Sequence, residues 1–292
     1  MDDVNKIDEL WDAAEISRRR LIASGAITGF IAGFALAAQP VSAQTMIVTD
    51  SSGLEAGMIA VPVGTESIPA YRAMPRDGRS RPLVLVVQEV FGVHEHIKDV
   101  CRRFAKLGYC AIAPELYHRQ GDVSKLEGFD AIRKVVARVT DKGVLADLDA
   151  TVKWAKDAGV GDISKLGITG FCWGGRIVWM YAAHNPSVKA GVAWYGRLAG
   201  EASANTPRHP VDVAKLISGS VLGLYGGADA GIPLATIEQM RTALGQGSRS
   251  RIHVYPDAPH AFFADYRPSY RKEAAEDGWK RCLAWFREHG VA

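Results

Sequence analysis

The chain has 292 residues, of which 48% are hydrophobic and 23% charged, with a formal net charge of +3. That composition is globular and excludes collagenous, low-complexity, disordered and tandem-repeat classes. The mild positive balance contains no basic block, so it gives no basis for a nucleic-acid partner. Four scattered cysteines, Cys101, Cys110, Cys172 and Cys282, lack zinc or C-x-x-C spacing and are too few to build a disulfide scaffold.

Residues 1–43 stand apart. Ser17-Arg18-Arg19-Arg20 opens an uncharged stretch, residues 21–38, rich in Ala, Gly, Ile and Phe, and Val41-Ser42-Ala43 is a small-residue cleavage pattern. Consecutive arginines before a moderately hydrophobic, glycine-containing core resemble a bacterial twin-arginine export signal. The expectation is export of residues 44–292 by that machinery, with cleavage and a periplasmic or secreted destination. The alternative is a retained membrane anchor formed by residues 21–38, which are nearly long enough to span a bilayer.

Beyond Gln44, short extended segments are expected at Met46–Thr49, Gly57–Val63 and Ser67–Arg72, as antiparallel strands opening a sheet. Pro82–Val87 is a continuous apolar run, the mark of a central strand buried on both faces. A helix follows over His94–Leu107, then a strand over Tyr109–Ala113. Residues 119–143 carry no clear element and are a candidate lid. The alternation resumes with helix Val144–Ala158, strand 166–169, helix 173–184 and strand Ala190–Trp194. Strand Val221–Tyr225, helix Leu234–Leu244, strand Arg251–Tyr255 and helix Tyr270–His289 complete it. Strands alternating with helices imply one α/β domain over residues 44–292, with a mostly parallel sheet covered by helices on both faces.

In such sheets reactive groups sit at the carboxyl ends of strands. One of these ends is Gly170-Phe171-Cys172-Trp173-Gly174-Gly175, the pattern of a nucleophile elbow with cysteine where serine is more usual. Side chains two residues either side of such a turn would collide with crossing backbone, hence the glycines. The thiol lies at a helix N-terminus, where partial positive charge favours thiolate. Three more strand ends carry Glu89, Asp229 (after Gly226-Gly227) and His260 (within Ala258-Pro259-His260-Ala261-Phe262). Cys172, Asp229 and His260 follow the order nucleophile, acid, histidine used by α/β-hydrolases. Each has a bland reading too: a buried cysteine in a glycine-rich turn, a turn-forming aspartate, a packing histidine, and for Glu89 an ion pair with a base such as Arg176. His94 and His96 lie at i and i+2, diverge on a helix and form no metal pair. No phosphate-binding loop or dinucleotide fingerprint is present, so no metal, nucleotide or organic cofactor is implied.

From about residue 54 to 289 the chain resembles the dienelactone hydrolase (carboxymethylenebutenolidase-like) family. The resemblance is carried by Gln88-Glu89-Val90-Phe91-Gly92, Pro114-Glu115-Leu116-Tyr117, the Cys172 elbow, the Asp229 loop and Pro259-His260-Ala261-Phe262. It implies an α/β-hydrolase fold and a triad cleaving a small-molecule lactone or ester. Cys172 would be the nucleophile, His260 the base and then acid, and Asp229 the group that orients the imidazole. Glu89 would be the acidic residue that controls thiol ionisation. The backbone amides of Trp173 and Val90 are the candidate oxyanion donors.

Substrate recognition departs from the family pattern. Members hold the dienelactone carboxylate with arginines, one of them four residues after the histidine, where this chain has Ala264; the histidine itself is followed by Ala261 rather than a hydroxyl residue. Arg119, Arg133, Arg138 and Arg197 are candidate replacements for that clamp. Tyr117, Trp173, Trp194, Tyr195 and Phe262 are candidate apolar lining, or core. A second expectation is a general esterase or thioesterase acting on neutral substrates, and a third a non-catalytic small-ligand binding module.

Overall fold

A computed structural model describes residues 46–292. The expected export signal, residues 1–43, lies outside the described residues.

The sheet is built outward from β3 (Arg81–Val87), in which five successive side chains, Leu83 to Val87, are fully buried. Successive side chains of a strand point to opposite faces, so both faces of β3 are covered. It pairs in parallel with β4 (Cys110–Pro114) on one side and β5 (Gly161–Phe171) on the other. Parallel pairing continues through β6 (Val188–Trp194), β7 (Ser220–Gly226) and β8 (Arg251–Tyr255). Beyond β4 come two antiparallel strands, β2 (Glu66–Pro75) and β1 (Leu54–Val63), giving the order β1-β2-β4-β3-β5-β6-β7-β8. The expected mostly parallel sheet with an antiparallel opening is what forms.

Helices join the strands: α1 (Glu95–Lys106), α2 (Phe129–Val136), α3 (Asp141–Asp157), α4 (Trp173–His184), the single turn α5 (Pro210–Val213), α6 (Leu234–Leu244) and α7 (Lys272–Glu288). Those read from sequence keep their places to within a few residues. Two expectations change. Met46–Thr49 forms no strand, because its amides bond side chains instead of a neighbouring strand: Ile47 N–H donates to Asp265 and Thr49 N–H to Asp99. Residues 119–143 hold a 3-10 turn, Val123–Lys125, and the whole of α2. This helix is two turns long, enters through Gly128 at φ 79° and buries only Ile132, Val135 and Val136, which is too little periodicity to stand out in a sequence.

Candidate active site

Cys172 lies between β5 and α4 at φ 55°, ψ −114°, in a region disfavoured for any residue with a side chain. Its N–H is held by the Trp194 carbonyl at 3.0 Å, which ties the turn to the end of β6. The glycines around it have the expected cause. A Cβ on Gly170 would stand 2.5 Å from the Gly174 carbonyl oxygen, and one on Gly174 would stand 2.5 Å from the carbonyl oxygens of both Val87 and Gln88. Only bare backbone lets α4 start this close to β3. Three non-glycine residues have positive φ among those described, Cys172, Tyr195 and Ala261, and all three are at this site.

The Asp229 and His260 loops leave the ends of β7 and β8 and cross closely: a Cβ on Gly227 would meet the Pro256 backbone. His260 Nδ1 and Asp229 Oδ2 are 2.6 Å apart, and the other Asp229 oxygen accepts the Gly231 N–H at 2.8 Å. With Asp229 accepting at both oxygens, Nδ1 is the donor, which leaves Nε2 as the working nitrogen; it has no hydrogen-bond partner in the protein. Burial disfavours the charged imidazole. The buried Asp229 carboxylate and the neighbouring Cys172 sulfur outweigh it, so His260 titrates well above an ordinary histidine. The fold therefore brings together the three residues expected from sequence, all buried.

Glu89 is fully buried at the end of β3, and it does not pair with Arg176. One carboxylate oxygen accepts the Tyr266 hydroxyl at 2.6 Å and faces His94 Nε2 at 3.2 Å, and the other has no partner. Burial opposes its charge, but the His94 hydrogen bond and the nearby Arg267 guanidinium overcome that and hold the carboxyl well below the usual carboxylate range. Tyr195 stands close to both Glu89 and Cys172: burial pushes its hydroxyl far up, and both charges add to the effect. Of the two candidate oxyanion donors, Trp173 opens α4, so its N–H is a first-turn amide without an intrahelical acceptor, and Val90 is buried beside Glu89.

Cys172, Trp173 and His260 border a cavity of about 470 Å³ that is also lined by Tyr195, Arg197 and Ile232. A small organic molecule fits such a volume. Its upper walls come from segments without sequence signals: Arg133, Val136 and Val139 on one side, and the loop 203–206 on the other. Arg197 is fixed from its Nε to the Ala199 carbonyl at 2.9 Å, and its guanidinium lies over Gly200, where a Cβ would collide with it. Burial, and Arg176 beside it, lower its pKa.

Other candidates lie elsewhere. Arg119 does not line the cavity; its guanidinium is bonded to Glu66 at 3.0 Å and Asp147 at 2.8 Å. Phe262 is a core side chain with no exposed surface, packed edge-on against Tyr195. Tyr117 is buried behind Trp173, ring centroids 4.9 Å apart, outside the cavity lining. All three mark strand ends, but the sequence shows only which loop a residue occupies and not which way its side chain turns. Residues that sequence reasoning passed over include Ile232, which directly follows the Gly231 whose N–H binds Asp229, and Tyr266 and His94, which hold Glu89. Among the described residues no cluster of His, Cys, Asp and Glu is arranged to hold a metal.

Residues 68–290 match the family model described as the dienelactone hydrolase family. The chain belongs to the dienelactone hydrolase family. It is 61% identical over 279 residues to a Methylorubrum extorquens protein named "Putative carboxymethylenebutenolidase", covering 95% of this chain and 94% of that one. Among solved structures it resembles a "Putative Dienelactone Hydrolase" from Klebsiella pneumoniae, with TM-score 0.78 and 55% identity over 80% of this chain and 99% of that one. A Pyrococcus horikoshii acylaminoacyl peptidase shares the α/β-hydrolase fold alone, with TM-score 0.65 and 14% identity over 82% of this chain and 42% of its own. The family membership makes this protein a hydrolase.

Proposed function

We propose that this protein hydrolyses a small lactone or ester through a covalent thioester on Cys172. The observation that carries the reading is the buried His260–Asp229 pair, whose free Nε2 neighbours the thiol at the floor of the cavity. His260 Nε2 takes the thiol proton, leaving a thiolate–imidazolium pair. The sulfur attacks the carbonyl carbon, and the oxyanion that forms is received by the amides of Trp173 and Val90. As the intermediate collapses, the C–O bond breaks and the Nε2 proton passes to the leaving alkoxide, which in a lactone stays tethered to the acyl group. Water then loses a proton to Nε2 and attacks the thioester, and the C–S bond breaks to restore the thiolate.

Carboxymethylenebutenolide, the substrate named for the relatives, carries a carboxylate. Arg197 and Arg133 supply positive charge to the cavity, and Arg197 is the better anchor because it is half-buried and held in place. From residues 17–43 we infer export by the twin-arginine route, with a periplasmic or secreted destination for this hydrolysis.

The test is a panel of an activated aryl ester, a simple lactone and a carboxylate-bearing dienelactone, with wild-type protein and Cys172→Ala. Preferred turnover of the dienelactone, lost in Cys172→Ala, is the expected result. Cys172-dependent turnover of the neutral compounds alone would move the substrate class to neutral esters, and an absence of Cys172-dependent turnover would leave a binding module.

A further inference from the structure

The two upper walls of the cavity are sewn to each other by one residue. Asn205, half-buried, donates from its side-chain Nδ2 to the Ala137 carbonyl at 2.8 Å, and its backbone carbonyl accepts the Asp141 N–H at 2.9 Å. This seam joins the end of α2 and the start of α3 to the loop after β6. Beneath it lies Arg176, one turn along α4 from Cys172 and only 4% exposed. Its guanidinium grips both carboxylate oxygens of Asp141, at 2.6 and 2.8 Å, and also the Arg208 carbonyl at 2.7 Å. One side chain therefore ties both walls to the helix that presents the thiol.

The two attachments differ in strength. The Arg176–Asp141 pair is buried and bidentate, so breaking it strands a charge. The seam is one side-chain and one backbone hydrogen bond at a half-exposed residue, both neutral and each worth about 1 kcal/mol.

We infer that the Asn205 seam, seated on Arg176 as a positioning residue, sets the size of the group that reaches Cys172. Small acyl and alcohol groups enter with the seam in place, whereas bulky ones wait for it to break. This rests on the reading of Cys172 as the reacting thiol, and the experiment keeps the two separable.

Labelling of Cys172 is timed with iodoacetamide and with N-pyrenylmaleimide, and located by peptide mass, in the full chain and in Asn205→Ala and Asp141→Asn. The other cysteines are fully buried, and burial pushes their thiols up, Cys110 to about 12, so they label slowly. The expected result is that the bulky-to-small rate ratio rises about five- to tenfold in Asn205→Ala, the size of effect one lost hydrogen bond produces, since the backbone bond from Asp141 is kept. On hydrolysis, KM for a bulky aryl ester falls relative to that for an acetate ester, while kcat changes less. A ratio within about twofold of wild type in Asn205→Ala, with circular dichroism and Tm unchanged, overturns the proposal. Asn205→Ala decides alone if Asp141→Asn does not fold. A shifted labelling ratio without Cys172-dependent ester turnover refutes the thioester reading of Cys172 and keeps the seam; such turnover with an unshifted ratio does the reverse.

Discussion

At Cys172 the backbone takes a conformation that its side chain disfavours, and Tyr195 and Ala261 do the same beside it. Such strain persists only where surrounding structure dictates it, and here it aims a thiol at an imidazole whose tautomer Asp229 sets. Removing that control while keeping the shape is the informative change. Asp229→Asn offers an amide in place of the acceptor for Nδ1–H, so His260 is free to adopt the wrong tautomer. The expected loss in kcat is about 10³- to 10⁴-fold with KM nearly kept, measured on an activated aryl ester. A loss below about tenfold would remove Asp229 from the mechanism.

At the level of elements, the elbow is a packing of bare backbones. β5, α4, β3 and the end of β6 meet through Gly170, Gly174, Gly175 and Gly196, where any side chain would run into main chain. Gly174→Ala forces its Cβ against two carbonyls that belong to the central strand and cannot rotate away. The cost is about 2–4 kcal/mol of stability, read from urea melts. Gly57→Ala in β1, where a Cβ meets nothing within 4 Å, is the control and should change stability by less than about 0.5 kcal/mol. Equal melts for the two variants would contradict this account of the elbow.

Across the whole molecule, buried carboxylates join distant parts of the chain. Glu89 at the end of β3 is held by Tyr266 from the loop before α7, and Asp265 in that loop is gripped by Arg103 of α1 at 2.5 Å. Burial opposes the charge of each. For Glu89 the His94 hydrogen bond and Arg267 prevail, and for Asp265 the groups of His96 and Arg103, so both titrate below ordinary carboxylates. A carboxyl group with a depressed folded pKa stabilises the fold above its unfolded value, roughly 4, and that contribution is lost as the pH falls through the folded value. Glu89→Gln should therefore lower Tm most at neutral pH, and its gap to wild type should narrow below about pH 4. A gap that stays constant over that range would show that the charge of Glu89 contributes nothing to stability.

The apolar run at β3, the glycine spacing around Cys172 and the order of Cys172, Asp229 and His260 were legible without a structure, and so were the α/β architecture and the family. Each is written locally: a strand buried on both faces needs unbroken apolar residues, and an elbow needs glycines at fixed offsets. The direction in which side chains turn was not legible. Arg119 and Arg197 look alike as loop arginines, yet one is spent on Glu66 and Asp147 while the other faces the cavity. Arg176 looked like a partner for Glu89 and serves Asp141 instead. Glu89 finds its partners in His94, five residues on, and Tyr266, 177 residues away. Periodicity and backbone sterics act over a few residues, so the sheet, the turn and the chain order of Cys172, Asp229 and His260 could be read along the chain. The cavity walls, the seam and the partner of every buried charge were decided only by tertiary structure, because a charged side chain taken out of water bonds whatever partner the fold brings within reach.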